Sequence, residues 1–584
     1  MQQPKEYKEF FIDKHSNTYA ETLEAYGLAN LIDEILSRSN VSNRKVEIFD
    51  RGLDYLIKPS HSITDEMLSK LSYFQIIKFL KNKADTKVPD DIGNNYYDYP
   101  NQKKEFDEIK EKRNKISTDK KLKPEEKKEK LLTLQKQFES EFGKKLDEAF
   151  DVYKNMVGNP YTGYVKAHSI LHNNQKHFSG LLSEIINFYS TTPNVVPKII
   201  REFKIDEKLT AQQLYSPNQG KGLNQYKADN ANMTNLDSYW VQESMKISGA
   251  LQMMICQFVK VGSSYDLKIF VPEYKQILWS KARELMLEFK RHLKSVSPVK
   301  LDILNVLNFS VNFIQRSEEF TGRLKNTING FHSVYQKDLG QNKAVANIAF
   351  LEIPDFIEIK DRKSANEWIE ILNAQKSIIN AIKEQGDAIQ GLLAYRNFLS
   401  GGDLQSFFKF CNWYSVYLMQ ALSKEQYYVK PFKIETLNLF YMHMDNETLH
   451  LSEIIANEGF KAVAQAIRKS TVSLQYTPKD ARKFEIRYGL AQELQNKSKS
   501  KVDLAIFIGE FIAMYNAETA KVAEKNGDES LRANVKDEEL AQFYALLDKH
   551  PSRLIGALLA SYGFALKAKE VKEEGTEDLN EENE

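Results

Sequence analysis

From about residue 361 to 566 the apolar residues return every three or four positions, and most segments carry a single apolar stripe. A helix with one apolar face is not stable alone in water, so such helices bury their stripes against one another. Residues 361–569 are therefore expected to form an all-α bundle. Ser364 and Glu367 read as a capping box ahead of Trp368, Ile371 and Leu372. Gly401-Gly402-Asp403 ends one helix and caps the next, and Phe407, Cys411, Tyr414, Leu418 and Leu422 then share one face. Further helices are expected over 451–469, 482–495, 502–517, 536–548 and 552–566. Residues 570–584 are acidic and read as a disordered tail.

The first 360 residues have a different rhythm. Leu28, Leu31, Ile32 and Ile35 place a helix over 18–36. Val46 and Ile48, then Leu53, Tyr55 and Ile57 beyond Arg51-Gly52, alternate as the arms of a β-hairpin over 45–58. Thr64-Asp65 caps a helix expected to reach about 81. Residues 100–154 are dense in charge of both signs. There Pro124-Glu125-Glu126 opens a helix striped by Leu131, Leu134, Phe138 and Phe142, and Phe106, Ile109 and Ile116 form a weaker stripe before it. This segment reads as a charged helical hairpin inserted into the body. Beyond it come an expected turn at 160–163, helices over 164–171, 241–259 and 276–293, and strands over 267–271 and 347–353. With 33 Phe and 29 Tyr against 25 Gly and 15 Pro, the composition favours long helices. The expected class is α+β, predominantly helical: a mixed N-terminal body over 1–360 and a helical C-terminal bundle.

Two cysteines, Cys256 and Cys411, exclude four-cysteine zinc sites and disulfide frameworks. The densest apolar run, 249–259, is broken by Gln252 and Gln257 and is shorter than the roughly 20 residues a bilayer requires. The first sixteen residues lack the apolar core of a signal peptide. A soluble cytoplasmic protein with no membrane partner and no cofactor is expected.

The loop Tyr215-Ser-Pro-Asn-Gln-Gly-Lys-Gly-Leu-Asn-Gln-Tyr-Lys227 imitates a phosphate loop but fails on spacing: Tyr215 stands where the first glycine belongs, and Gly222 replaces the hydroxyl residue. It reads as a plain surface loop or as one whose backbone admits an anion closely. In the second case Lys221 and Lys227 supply charge, and Gln219, Asn224 and Gln225 supply amides able to read base edges. Asp355, Glu358 and Lys360 resemble a metal-nuclease signature, but such sites separate the Asp from the Glu-x-Lys pair by more than three residues, so a solvated strand end is expected. His168 and His172, with His177 beyond, have zinc spacing without an acidic ligand nearby and are expected to face solvent or cap a helix. No catalytic motif emerges.

The clearest charge signal lies between 461 and 501. Ten basic residues (Lys461, Arg468, Lys469, Lys479, Arg482, Lys483, Arg487, Lys497, Lys499 and Lys501) face three acidic ones (Asp480, Glu485 and Glu493), an excess of seven in a chain whose net charge is +1. Tyr476 and Tyr488 are interleaved. Cations release counterions from a phosphate backbone, and aromatic rings stack on unpaired bases. A solvated basic face is the plainer alternative.

Several short segments, kept in order along the chain, are similar to the large subunit of the type I CRISPR interference complex (Cascade), in its I-A/I-B-like branch. They are Thr22-Leu-Glu-Ala-Tyr-Gly-Leu-Ala29; Asn218-Gln-Gly-Lys-Gly-Leu-Asn224 followed by Lys227; residues 240–250; Asp266-Leu-Lys-Ile-Phe-Val-Pro272; and Phe398-Leu-Ser-Gly-Gly-Asp403. The remaining ones are Gly459-Phe460, Ala466-Ile-Arg-Lys-Ser-Thr-Val472, Arg487-Tyr-Gly-Leu490, Tyr515-Asn-Ala-Glu518 and Ser561-Tyr-Gly563. The resemblance implies a non-enzymatic subunit. Its N-terminal body would sit near the 5′ end of a CRISPR guide RNA and read the PAM in double-stranded target DNA, through Gln219, Lys221, Asn224 and Lys227. Its bundle would support the displaced single strand of the R-loop through Arg468, Lys469, Lys479, Arg482, Lys483 and Arg487. The implied partners are the backbone, guide 5′-end-binding and small subunits, and a recruited helicase-nuclease or transposition protein. From about 444 onward the bundle is small-subunit-like, and an internal start at Met442 or Met444 would make that part separately. Two other readings are a helical protein-interaction scaffold and a metal-dependent nuclease built on Asp355, Glu358 and Lys360.

Overall fold

A computed structural model describes residues 5–16, 18–194, 208–219, 237–261, 264–293, 296–316, 320–340, 343–527 and 532–567. The chain is predominantly helical, of α+β class, and divides into two compact units, Met1–Glu358 and Ile359–Glu584. Every described strand of three or more residues belongs to the first unit. No described helix is long and apolar enough to cross a membrane. The acidic tail lies outside the described residues.

The first unit is built around the helix Tyr19–Arg38. Thr18 opens it by accepting the Ala20 N–H, and its first three turns are buried on every side. The helix Trp240–Met253 crosses it with backbones in contact. A Cβ on Gly27 would stand 1.9 Å from the Met245 carbonyl oxygen, and one on Gly249 would stand 1.9 Å from that of Leu23. Only glycine fits at either side of such a crossing. The close approach seals a polar group away from water: Glu24 accepts from the Tyr189 hydroxyl at 2.8 Å, and Glu243 pairs with Lys246 at 2.9 Å. Burial pushes the Glu24 carboxyl up to about 7, against the lowering effects of Lys246 and Tyr189.

Two four-stranded antiparallel sheets flank this core. One has the order Gln276–Leu278, Val46–Asp50, Asp54–Pro59, Phe10–Asp13 and contains the expected hairpin, with Ile48 opposite Ile57. The other is a meander, Ile255–Val261, Ser264–Tyr274, Ile328–Asp338 and Lys343–Glu352. Several expectations are corrected here. The helix expected over 241–259 stops at Met253 and gives way to the strand from Ile255, where Gln257 is buried against Asn305 at 2.8 Å. The helix expected from 276 begins at Trp279, because residues 276–278 pair with the hairpin instead. The helix at Asp65 ends at Ser69, and Phe79–Lys81 runs parallel to Tyr96–Asp98. In the charged insertion, Tyr99–Thr118 and Pro124–Glu141 form the expected pair of helices. Ile109, Leu134, Phe138 and Phe142 face one another across a shallow cleft, and no residue of Tyr99–Thr118 is buried.

The second unit is all helix apart from short connections. Its first helix, Arg362–Ala381, is capped one turn earlier than expected. Asp361 accepts the Ser364 N–H at 2.7 Å, and Ser364 Oγ accepts the Asp361 N–H at 2.9 Å. Gly402 takes the left-handed conformation (φ 63°) that ends Ala388–Gly401, and Asp403 caps Leu404–Ser423. Phe407, Cys411, Tyr414, Leu418 and Leu422 are all buried, among the rings of Phe398, Phe432 and Phe440. The helix expected over 451–469 breaks at Asn457, whose side chain caps Glu458–Ser470. There Gly459 lies against the Glu539 backbone, where a Cβ would come within 2.1 Å of its carbonyl oxygen. Lys501–Lys525, Asp537–Lys549 and Ser552–Tyr562 complete the bundle.

Candidate nucleic-acid interface

The six bundle cations singled out from sequence separate into two kinds. Arg468 closes the helix Glu458–Ser470 and is buried, with one guanidinium nitrogen donating to the Tyr562 carbonyl at 3.2 Å. Burial pulls it down to about 10. It ties one helix to the end of another and is unavailable to phosphate, which corrects its assignment to the displaced strand. Arg487 is half-buried. It pairs with Glu518 at 2.6 Å and lies over the Phe511 ring. Glu518 also holds Arg532 at 2.9 Å, and the Arg532 guanidinium lies 3.7 Å from the Phe484 ring and 3.9 Å from that of Tyr515.

Lys479 and Lys483 are exposed, and Arg482 is half-buried. The helix expected over 482–495 is another correction: Lys479–Ala481 is a single 3-10 turn, 482–489 is irregular, and the helix is Leu490–Lys497. Arg482 explains part of this, since it bonds the carbonyls of Thr477 and Gln475 at 2.9 and 3.3 Å and holds the loop in a tight curl. Lys483 is exposed and reaches Asn526 Oδ1 at 3.4 Å. Lys479 pairs with Glu425 at 2.5 Å on an open surface. Their hydrogen bond raises the lysine and lowers the carboxyl, but so exposed a pair adds little to stability. Lys469 is half-buried.

Aromatic rings lie beside the Lys479–Glu425 pair. Tyr476 lies 6.0 Å from Tyr427, ring to ring, and the two are 42 % and 49 % exposed. Tyr428 carries Lys383 over its ring at 4.5 Å. Tyr427 and Tyr428 escaped the sequence reading. The only signal was an adjacent aromatic pair in the polar connection Lys424-Glu-Gln-Tyr-Tyr-Val-Lys430. Exposed tyrosines beside exposed cations offer π-faces to bases and positive charge to phosphates, the two contacts an unpaired strand makes without sequence preference.

Gln219 ends the 3-10 turn Pro217–Gln219, and Lys221, Asn224 and Lys227 lie outside the described residues. His168 and His172 are buried rather than solvent-facing. Their rings stack at 5.3 Å, and His172 bonds Asp91 at 3.2 Å. Asp355 pairs with Arg323 at 3.4 Å. Among the described residues no three His, Cys, Asp or Glu side chains are placed to hold a metal ion. No family model matches the chain, and no curated protein matches it.

Proposed function

We propose that this chain is a non-catalytic large subunit of a type I CRISPR interference complex, and that its helical unit holds an unpaired strand at the corner of Tyr427, Tyr476, Lys479, Arg482 and Lys483. The observation that carries the reading is the grouping of exposed tyrosines with exposed cations in a chain whose net charge is +1. The ordered resemblance along the sequence supplies the kind of complex. PAM and guide contacts through Gln219, Lys221, Asn224 and Lys227 belong to the same proposal and rest on sequence.

The test is binding of a labelled 15-nucleotide deoxythymidine strand by the full chain at several salt concentrations. Each phosphate neutralised contributes about −0.7 to the slope of log K against log salt for a single strand. Three cations give a slope near −2, which Lys479→Glu with Lys483→Glu flattens by about 1.4. Tyr427→Ala and Tyr476→Ala each cost about 1–3 kcal/mol. Affinity and slope unchanged in all these variants would remove the corner from the proposal. Sequencing RNA that copurifies from the native host tests the complex itself: guide RNA supports the assignment, and its absence, or Mg²⁺-dependent cutting by the isolated chain, overturns it.

A further inference from the structure

The strand Lys343–Glu352 is the outer strand of its meander. It pairs with Ile328–Asp338 on one side and, among the described residues, with no strand on the other. Residues 345–351 read Val-Ala-Asn-Ile-Ala-Phe-Leu, seven positions without charge or proline, and Ile348 and Phe350 are 37 % and 39 % exposed. Natural proteins guard a free edge with lysine, proline or a covering element, because unpaired N–H and C=O groups beside apolar side chains recruit another strand. Over 345–351 this edge carries neither lysine nor proline, and past a β-bulge at Ala346, between the pairs Tyr335–Asn347 and Gln336–Val345, the stretch from Asn347 to Leu351 is regular.

Ile348, Ala349 and Phe350 also wall a cavity of about 330 Å³. Its polar lining includes Lys14, Glu21, Tyr55, Glu273 and His332. Lys14 is already satisfied by Asp50 at 2.7 Å and lies over the Tyr55 ring. Glu273 accepts from His332 at 2.5 Å and from Asn329 at 3.1 Å. The lining thus carries two carboxylates, Glu21 (which accepts from Ser16) and Glu273, against one ammonium that Asp50, outside the lining, already neutralises. Such a cavity repels phosphate and attracts an organic cation. The exposed Phe350 ring at its mouth suits a flat guanidinium, which stacks on aromatic faces while its N–H groups reach carboxylates.

We propose that the free edge of Lys343–Glu352 takes an extended strand from a partner protein, with an arginine or lysine of that strand entering the acidic cavity. Main-chain hydrogen bonds supply affinity in this mode of recognition, and the side-chain pocket supplies selectivity. A second copy of this chain does not meet the requirement. Pairing through the same edge, it would offer residues 345–351, which contain no cation, and the strand's one lysine, Lys343, stands at its end, where it donates to Asn155 at 3.1 Å.

The experiment is fluorescence polarisation of the full chain with a labelled seven-residue peptide of alternating valine and threonine carrying arginine at its centre. The control peptide has glutamate at that position. The arginine peptide is expected to bind at least about tenfold more tightly, to slow amide exchange of residues 345–351, and to lose most of its advantage against Glu273→Gln. Equal affinity for the two peptides, or binding without protection of 345–351, overturns the proposal. So does a concentration-dependent dimer of the free protein that Ile348→Lys abolishes, since the edge would then belong to self-association. The peptide comparison is made on one unaltered protein, so it stands even if a variant fails to fold.

Discussion

Glu24→Gln is expected to stabilise the protein by an amount that grows as pH rises from about 4.5 to 7. Glu24 is fully buried beside the helix crossing, and its pKa is raised from an ordinary 4.5 to about 7, chiefly by loss of water. Between those values the folded state holds a proton that the unfolded chain has released. The contribution of this proton to the wild-type fold is therefore complete below about pH 4.5 and is lost as pH rises to 7, and the advantage of glutamine grows over the same range. A gap of about 2.5 units corresponds to about 3 kcal/mol at pH 8, and to less than about 1 kcal/mol at pH 5. Glutamine keeps the shape and the acceptor for Tyr189 but cannot ionise. For a unit spanning residues 1–358, with unfolding entropy near 2.1 cal/mol/K per residue, 3 kcal/mol is worth about 4 °C. Scanning calorimetry of both proteins from pH 5 to 8 gives the difference directly, since every other titrating group is shared. A difference that stays constant across that range, or a variant less stable at pH 8, refutes the reasoning.

Two further outcomes follow from packing. Gly249→Ala forces a Cβ onto the Leu23 carbonyl and is expected to cost at least about 3 kcal/mol, measured as lost soluble yield and a lower melting temperature. Arg468→Met removes a buried donor from the Tyr562 carbonyl and is expected to cost about 1–3 kcal/mol in stability while leaving oligonucleotide affinity and its salt slope unchanged; a fall in affinity with stability intact would return Arg468 to the surface group.

Legibility in the sequence followed how local the deciding force was. The glycine-aspartate stop at 401–403 and the buried face from Phe407 to Leu422 are set by neighbours within one or two turns, and the structure has them as expected. The strand from Ile255 was hidden because a short apolar run fits both periods; its partner Ser264–Tyr274 decides the matter from a few residues further on. Gln276–Leu278 was harder still, since its partner lies more than 220 residues earlier. At the candidate interface, counting cations located the right stretch but could not tell an inward arginine from an outward one. Arg468 and Arg487 point to a carbonyl and a glutamate brought there by other helices. Tyr427 and Tyr476 are 49 positions apart in sequence and meet only in the folded chain.

The long-range pairing in the first sheet has a consequence for synthesis. Val46–Asp50 leaves the ribosome early, yet the strand that closes its open side, Gln276–Leu278, follows about 230 residues later. At translation rates of 5–20 residues per second, the nascent hairpin waits about 10–45 s with one side unsatisfied. During that interval the hairpin presents an unpaired β-edge open to the wrong neighbour.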